Sequence, residues 1–322
     1  MHFIGRAVTA CASALVLGIA TLPSAQAQSG VIRLVVGASP GGTTDTVARS
    51  IAVHMGTELK QTVVVENKPG AGGNIASDYV AKSAPDGKTL LVSFNSFSIN
   101  PSLYKTLPFD PIADFTPISM LASVPSVLVV RKDFPAKDMA ELISMAKANP
   151  GKYTMALGGV GSSLHMAGER MKMMAGIDIL NVPYKGTSPA VTDLLGGQVD
   201  MMFGSSLNVM PHIQKGAVRA LGVSSPAPLK EFSGVPAIAQ TIPGFESNAW
   251  FAMFGPAGLS PETLASLNAA ARKATEAPQF RQMLEVDSAK AVSSTPQALG
   301  EFVKEDIARY AEVVKFTGAT PQ

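Results

Sequence analysis

Along this chain the apolar positions switch repeatedly between the two-residue period of a strand and the three-to-four-residue period of a helix. Val31 to Val36 is a β-branched run of strand length. Val47, Ile51 and Met55 then recur every four residues, with Ala48 and Ala52 beside them, which predicts a helix. Between the two lies Ala38-Ser39-Pro40-Gly41-Gly42-Thr43-Thr44-Asp45. The glycines admit close approach of backbone to a ligand, and Thr43 or Thr44 is expected to cap the helix. Backbone N–H groups at a helix start form an anion site. The loop has neither the Lys of a Walker loop nor the glycine spacing of a dinucleotide loop, and its donors are neutral apart from one acid, Asp45. It therefore suits a carboxylate better than a polyphosphate. An ordinary βα turn without a ligand is the alternative reading.

The same alternation continues. Thr62 to Glu66 reads as a strand, Asn67 to Asn74 as a second Gly-rich loop, Ile75 to Lys82 as a helix and Lys88 to Phe94 as a strand. Asn95 to Asn100 is polar and aromatic and is expected to line a cleft; Leu107 to Ile118 is a Pro-punctuated connector. A second domain is expected to begin near Val127. It holds a helix over 137–149, a strand over Tyr153–Leu157, the loop Gly158 to Ser163, and a helix over 164–175 closed by Gly176. This repeats the opening arrangement of strand, glycines, hydroxyl caps and helix N-terminus. Two such N-termini, one per domain, facing each other across a cleft would each hold one carboxylate of a dicarboxylate. Further on come a short strand over 178–183 and the loop Tyr184 to Pro189, with Ser188 as the expected cap. A helix to Gly196-Gly197, a buried strand over Val199–Phe203, the loop Gly204-Ser205-Ser206 and a strand over 218–223 follow. Ala249 to Phe254 reads as a strand returning the chain to the first domain. Three helices then follow, starting at Ser260-Pro261, Pro278 and Pro296. The whole pattern is α/β, with a mainly parallel sheet covered on both faces.

Charge and composition narrow the function. Arg6, the apolar run from Val8 to Ala20 and Ala25-Gln26-Ala27 form a cleavable targeting signal, so the mature chain is expected to start at Gln28. The single cysteine, Cys11, lies inside that signal, which excludes disulfide and thiolate chemistry from the mature chain. The net charge of +2 falls to +1 without Arg6, which argues against a nucleic-acid partner. No later apolar run is long enough for a membrane helix. The remainder is about 295 residues, enough for two domains.

Catalytic constellations are weak. His54, His165 and His212 are scattered; His165 and Glu169 are four apart and can touch, but lack further metal ligands in view. Ser144-Met145-Ala146-Lys147 matches Ser-x-x-Lys in the middle of an amphipathic helix, without the supporting motifs of that hydrolase class. Asp45, Glu66 and Asp200 are candidate carboxylates with no sign of pairing. Met166, Met171, Met173 and Met174 read as packing residues.

Seven segments occur in order at family spacing: Pro40-Gly41-Gly42 with Asp45 and Ala48-Arg49; Glu66-Asn67-Lys68-Pro69-Gly70-Ala71-Gly72-Gly73; Asp114-Phe115-Thr116-Pro117-Ile118; Gly161-Ser162-Ser163 with His165 and Gly168-Glu169; Val182-Pro183-Tyr184-Lys185-Gly186 with Pro189-Ala190; Asp193 through Asp200; and Pro243-Gly244-Phe245-Glu246 with Trp250. On these the chain resembles the periplasmic solute-binding proteins of tripartite tricarboxylate transporters, the Bug or TctC family. The resemblance covers nearly the whole mature chain. It implies a two-lobed Venus-flytrap fold of type II kind, each lobe a mixed sheet flanked by helices. The expected division is a signal over 1–27, one lobe from 28–126 and 248–322, and a second from 127–247. It implies capture of a small carboxylate, di- or tricarboxylate and with aromatic ones included, and delivery to a two-subunit membrane permease. A sensor kinase is the alternative recipient, and an enzyme acting on a carboxylate the more remote alternative. A monomer without enzymatic activity, cofactor, metal or nucleic-acid partner is expected. The ligand contacts are expected at Ser39, Gly41, Gly42, Thr43 and Asp45 in the first loop, at Gly72 and Asn95, at Gly161, Ser162, Ser163 and His165 in the fourth segment, and at Tyr184, Lys185, Gly186, Gly204 and Ser205. Many relatives carry an acid where this chain has Gly204. Its absence is expected to turn the site away from aspartate and glutamate, and to leave room for a bulkier ligand.

Overall fold

The computed structural model describes residues 30–159, 161–184, 186–285 and 287–318. The expected signal over 1–27 and Lys185 lie outside the described residues. The chain begins with β1 (Ile32–Val36), α1 (Thr43–Leu59), β2 (Val63–Asn67), α2 (Asn74–Ala81), β3 (Thr89–Phe94), α3 (Ser96–Leu103) and β4 (Phe115–Val124). It continues through β5 (Ser126–Arg131), α4 (Met139–Ala148), β6 (Thr154–Leu157), α5 (Ser163–Ala175), β7 (Leu180–Pro183), α6 (Thr187–Leu195), β8 (Met201–Ser205), α7 (Ser206–Gln214) and β9 (Val218–Val223). It ends with β10 (Ala249–Pro256), α8 (Pro261–Glu276), α9 (Pro278–Glu285), β11 (Lys290–Ala291) and α10 (Pro296–Thr317).

These strands form two sheets. One has six strands in the order β11-β4-β10-β3-β1-β2, the other five in the order β7-β6-β8-β5-β9. Each sheet is mixed. In the first, β1 is parallel to β2 and β3, while β10 runs antiparallel to β3 and β4. In the second, β6 is parallel to β7 and β8, while β5 is antiparallel to β8 and β9. The alternation of the sequence predicts mainly parallel sheets. Every antiparallel pairing among the described strands involves β4, β5 or β10, the strands at the crossings between lobes, which run into each sheet without a crossover helix.

Both sheets are covered on both faces, and the strands carry apolar residues without alternation for that reason. Leu34 and Val36 face a core built with α1, α8 and α9, whereas Val35 between them faces another with Phe97, Trp250, Phe254 and Val303. In β5, Leu128 and Val130 face one core and Val127 and Val129 the other. The stripe Val47, Ile51, Met55 with Ala48 and Ala52 is buried in the first core, as its period requires.

Two chain crossings join the lobes. The first is β4–Pro125–β5; the second is Ser247 and Asn248 ahead of β10. A ladder of short polar side chains ties them together. Ser126 N–H donates to Ser224 Oγ at 2.8 Å, and Ser224 Oγ donates to Asn248 Oδ1 at 2.9 Å. Asn95 Nδ2 donates to the Asn248 carbonyl at 3.1 Å, and its Oδ1 accepts from Trp250 N–H at 2.9 Å. On one flank, Ile99 and Leu103 of α3, Met166 of α5 and Tyr310, Val313 and Val314 of α10 form a small apolar cluster that spans the lobes.

Several local expectations are corrected. Asn95 to Asn100 does not line a cleft: Asn95 is buried in the hinge ladder, and Phe97 to Asn100 are buried in α3, which packs against α10. The Pro-punctuated connector ends early, because β4 starts at Phe115. Gly204 and Ser205 complete β8, and the residues from Ser206 form α7 rather than a loop. The residues preceding α1 and α6 are glycines, Gly42 and Gly186, without side-chain caps, so neither Thr43, Thr44 nor Ser188 is the cap.

The two Gly-rich loops of the first lobe touch backbone to backbone. A Cβ on Gly37 would stand 2.6 Å from the Gly73 Cα, and a main-chain atom cannot rotate away. Gly37→Ala is therefore expected to lower unfolding stability by about 1–3 kcal/mol, the cost of overpacking. Urea denaturation measures it, and an unchanged midpoint would contradict the contact.

Candidate functional site

The site is built from the same turn used twice. In Ser39-Pro40-Gly41-Gly42, Gly42 N–H donates back to the Ser39 carbonyl at 3.4 Å and Gly41 has φ +83°. Pro at the second place and a positive φ at the third are the pattern of a type II turn, for which glycine is suited. In the second lobe, Ser162 N–H donates to the Gly159 carbonyl at 3.3 Å and Gly161 has φ +78°. Each turn delivers the chain into a helix: Gly42 precedes α1 with φ −76°, ψ 168°, and Ser162 precedes α5 with φ −71°, ψ 160°.

The support beneath the two turns also repeats. Gly41 N–H donates to Asp45 Oδ2 at 2.9 Å, and Gly161 N–H donates to His165 Nδ1 at 2.9 Å, in both cases four residues on. The side chain a further turn along completes each pair. Arg49 Nε donates to Asp45 Oδ2 at 2.8 Å, and His165 Nε2 lies 3.6 Å from Glu169 Oε1. An asparagine from the neighbouring edge strand closes each network. Asn67 Nδ2 donates to Asp45 Oδ1 at 2.9 Å, and Asn181 Nδ2 donates to Glu169 Oε1 at 2.6 Å. Because His165 Nδ1 accepts, its ring proton sits on Nε2, toward Glu169.

These groups are scaffolding. Asp45 and His165 are buried, and their polar atoms are turned into the protein. The Arg49 hydrogen bond, with those of Gly41 and Asn67, outweighs burial and holds the Asp45 carboxyl down at about 2. Burial acts to raise the Glu169 carboxyl, but the neighbouring His165 imidazole, the Lys172 ammonium and the hydrogen bond from Asn181 bring it below its usual value. Lys172 Nζ stands 2.7 Å from Glu169 Oε1. Among the described residues no group of three or more His, Cys, Asp or Glu could hold a metal ion.

Thr43 and Ser163 are the first residues of α1 and α5, and both line one cavity of about 230 Å³ between the lobes. The first-turn N–H groups of a helix have no intrahelical acceptor, so both helices present donors and the positive ends of their dipoles there. The hinge supplies the floor through Val124, Pro125, Ser126, Ser247 and Ala249, and Leu164 and Phe251 add apolar wall. Ser205, Asn208 and Asp287 make the remaining side. A larger cavity, about 420 Å³, lies between Pro117, Leu264 and Pro296, away from both turns.

Among the residues singled out in the sequence, Thr43, Ser163 and Ser205 stand on the wall of the interlobe cavity. Ser39, Gly41, Gly42 and Gly161 shape the turns. Ser162 caps α5: its Oγ accepts from His165 N–H at 3.2 Å and donates to the Gly159 carbonyl at 2.8 Å. Gly72, Asn95, Tyr184 and Gly186 lie off the wall. Tyr184 donates to Asp193 Oδ2 at 2.6 Å, and burial together with that acid pushes its hydroxyl up to about 12. Gly204 is a packing residue. A Cβ there would stand 2.3 Å from Val209 Cγ1, so the missing side chain leaves no space in the cavity. One acid on the wall, Asp287 from the other lobe, is not among the residues singled out in the sequence. No local signal links positions 287 and 207.

Two hinged lobes around a small cavity with two opposed helix N-termini define a solute-binding protein of the two-lobed kind. The comparisons place it further: residues 47–319 match the tripartite tricarboxylate transporter family receptor, TctC, and the chain belongs to that family. It is similar to the periplasmic binding protein BugD, with 35% identity, a TM-score of 0.71, and coverage of 91% of this chain and 99% of that one. Rpa4515 of R. palustris, solved with adipate, is 34% identical at a TM-score of 0.74, covering 90% and 98%. MatC of Rhodopseudomonas palustris, solved with bound malate, is 34% identical at a TM-score of 0.71, covering 88% and 98%.

Since the folded Asp45 carboxyl titrates below its ordinary 3.8, the stability it contributes is full above about pH 4 and is lost as pH falls toward 2. Asp45→Asn is expected to cost about 2 kcal/mol at pH 7, as for hydrogen bonds to a charged group. It is also expected to flatten the decline in stability between pH 4 and 2. Urea titrations across that range test this; parallel curves for both proteins would contradict it.

Proposed function

We propose that this protein captures a small carboxylate between lobes 28–126 with 248–322 and 127–247. We further propose that, after removal of residues 1–27, it delivers the ligand in the periplasm, as a monomer, to a two-subunit membrane permease. The observation that carries this reading is the pair of matched turns that bring the α1 and α5 N-termini, at Thr43 and Ser163, to one cavity. A carboxylate bound there meets main-chain donors and hydroxyls rather than a cationic side chain. Adipate and malate in the two similar structures support the ligand class. The volume, about 230 Å³, lies below the range of drug-sized pockets and favours a ligand of few carbons over an aromatic dicarboxylate. Capture by closure requires that the ligand bind the closed form better than the open one.

A thermal-shift panel tests the reading. Citrate, succinate, malate, adipate, terephthalate, benzoate, aspartate and glutamate are added to the protein, since a ligand of the folded state raises the melting temperature by mass action. A shift with at least one aliphatic carboxylate is expected, and none with any member would overturn the ligand class.

The two serines of the second turn separate structure from binding. Ser162→Ala is expected to cost about 1 kcal/mol of stability through its lost cap. Ser163→Ala is expected to weaken ligand binding by about 1 kcal/mol with the melting temperature of the ligand-free protein unchanged. Calorimetric titration of both variants measures this, and unchanged affinity in Ser163→Ala would contradict a direct contact.

A further inference from the structure

The interlobe cavity is lined by Thr43, Ser126, Ser163, Ser205, Asn208 and Ser247 among its polar residues, and by one charged residue, Asp287. That charge is negative, in a site whose proposed ligand is an anion. Asp287 follows α9 in the first lobe, yet its Oδ1 accepts from Leu207 N–H, in the first turn of α7 in the second lobe, at 2.8 Å. Beside it the hydroxyls of Ser206 and Ser288 meet at 2.8 Å, also across the lobes. The α7 N-terminus thus already holds an anion, supplied by the protein. The donors left for a ligand are those of α1 and α5.

From this, and resting on the carboxylate-capture reading, we infer that Asp287 is a specificity-determining residue. It selects carboxylates whose far end carries a proton donor, a hydroxyl or an ammonium, over those with a second carboxylate at that end. The ligand carboxylate takes the donors of α1 and α5. The opposite end of a short ligand then meets Asp287, whose unused lone pairs accept a hydrogen bond. A second carboxylate placed there would face a like charge in a partly desolvated cavity, with no Lys or Arg on the described wall to offset it. This reverses the expectation drawn from Gly204: the acid is present in the cleft, from the other lobe, so ligands with a positive group are not disfavoured.

The test is calorimetric titration of the protein and of Asp287→Asn with three ligands that share a carboxylate and its distance to the fourth carbon. They are succinate, 4-hydroxybutyrate and 4-aminobutyrate. Asparagine retains an oxygen to accept from Leu207, so the lobes keep their contact. The protein is expected to bind the hydroxyl or ammonium ligand at least tenfold more tightly than succinate, and Asp287→Asn to shrink that ratio at least tenfold. Asp287→Glu, which keeps the charge, is expected to keep the order of preference, and it serves as the test if Asp287→Asn does not fold. Equal ratios in the protein and Asp287→Asn, or a preference of the protein for succinate, would overturn the inference. So would the absence of binding to all three when other carboxylates of the thermal-shift panel bind. Failure of the whole panel overturns the carboxylate reading itself.

Discussion

The first turn of an α-helix carries N–H groups that no residue of the helix can satisfy, and this structure depends on aiming two such turns at one place. Each lobe does so with a parallel strand, a turn with a left-handed glycine, and a helix. Each holds the glycine N–H from below with the side chain four residues on, Asp45 or His165. The chemistry of that support differs between lobes, an acid with Arg49 in one and an imidazole with Glu169 in the other, while its geometry is kept. The same geometry on different residue types shows that what the two lobes share is the turn, not the buried charge beneath it. Dipoles and neutral donors fixed in advance make the cleft suited to an anion with no lysine or arginine on its described wall.

The lobes meet through contacts of two characters. Toward α3, α5 and α10 they meet through the apolar cluster around Met166, Leu103 and Tyr310. Toward α7 they meet through Asp287, Ser206 and Ser288, all polar. The polar hinge ladder of Ser126, Ser224, Asn248 and Asn95 lies between. An apolar contact tolerates small rotations, whereas hydrogen bonds of fixed length do not. The polar contacts on the Asp287 side therefore fix the relative position of the lobes more sharply than the apolar cluster does.

How much of this was legible in the sequence follows from which interactions are local. The stripe Val47, Ile51, Met55, the Ser-Pro helix starts at 260 and the strand at 218–223 depend on periods and caps within one element, and the structure has them. The repetition of strand, glycines and helix at residues 31–55 and 153–175 was equally visible. Helix α3 was not, because Asn95, Ser98 and Asn100 make it look solvated, and only the tertiary partners Tyr310, Trp250 and Asn74 explain why the two asparagines are buried. Helix α7 was hidden by its serines and Pro211. Asp45 and His165 stand at sequence positions that suggest contact with a ligand, and only their hydrogen bonds reveal them as supports. Asp287 had no signal at all: its place on the cavity wall goes with a pairing between residues 80 positions apart in different lobes.

In the proposed mode of capture, one ligand is held by the helix starts of both lobes at once. Amide nitrogen and proton resonances of Thr43, Thr44, Ser163 and Leu164, followed by NMR as a binding carboxylate is titrated in, test it most directly. The amides of both lobes are expected to shift together, along one saturation curve. Shifts confined to one pair, with the other unmoved at saturation, would contradict it.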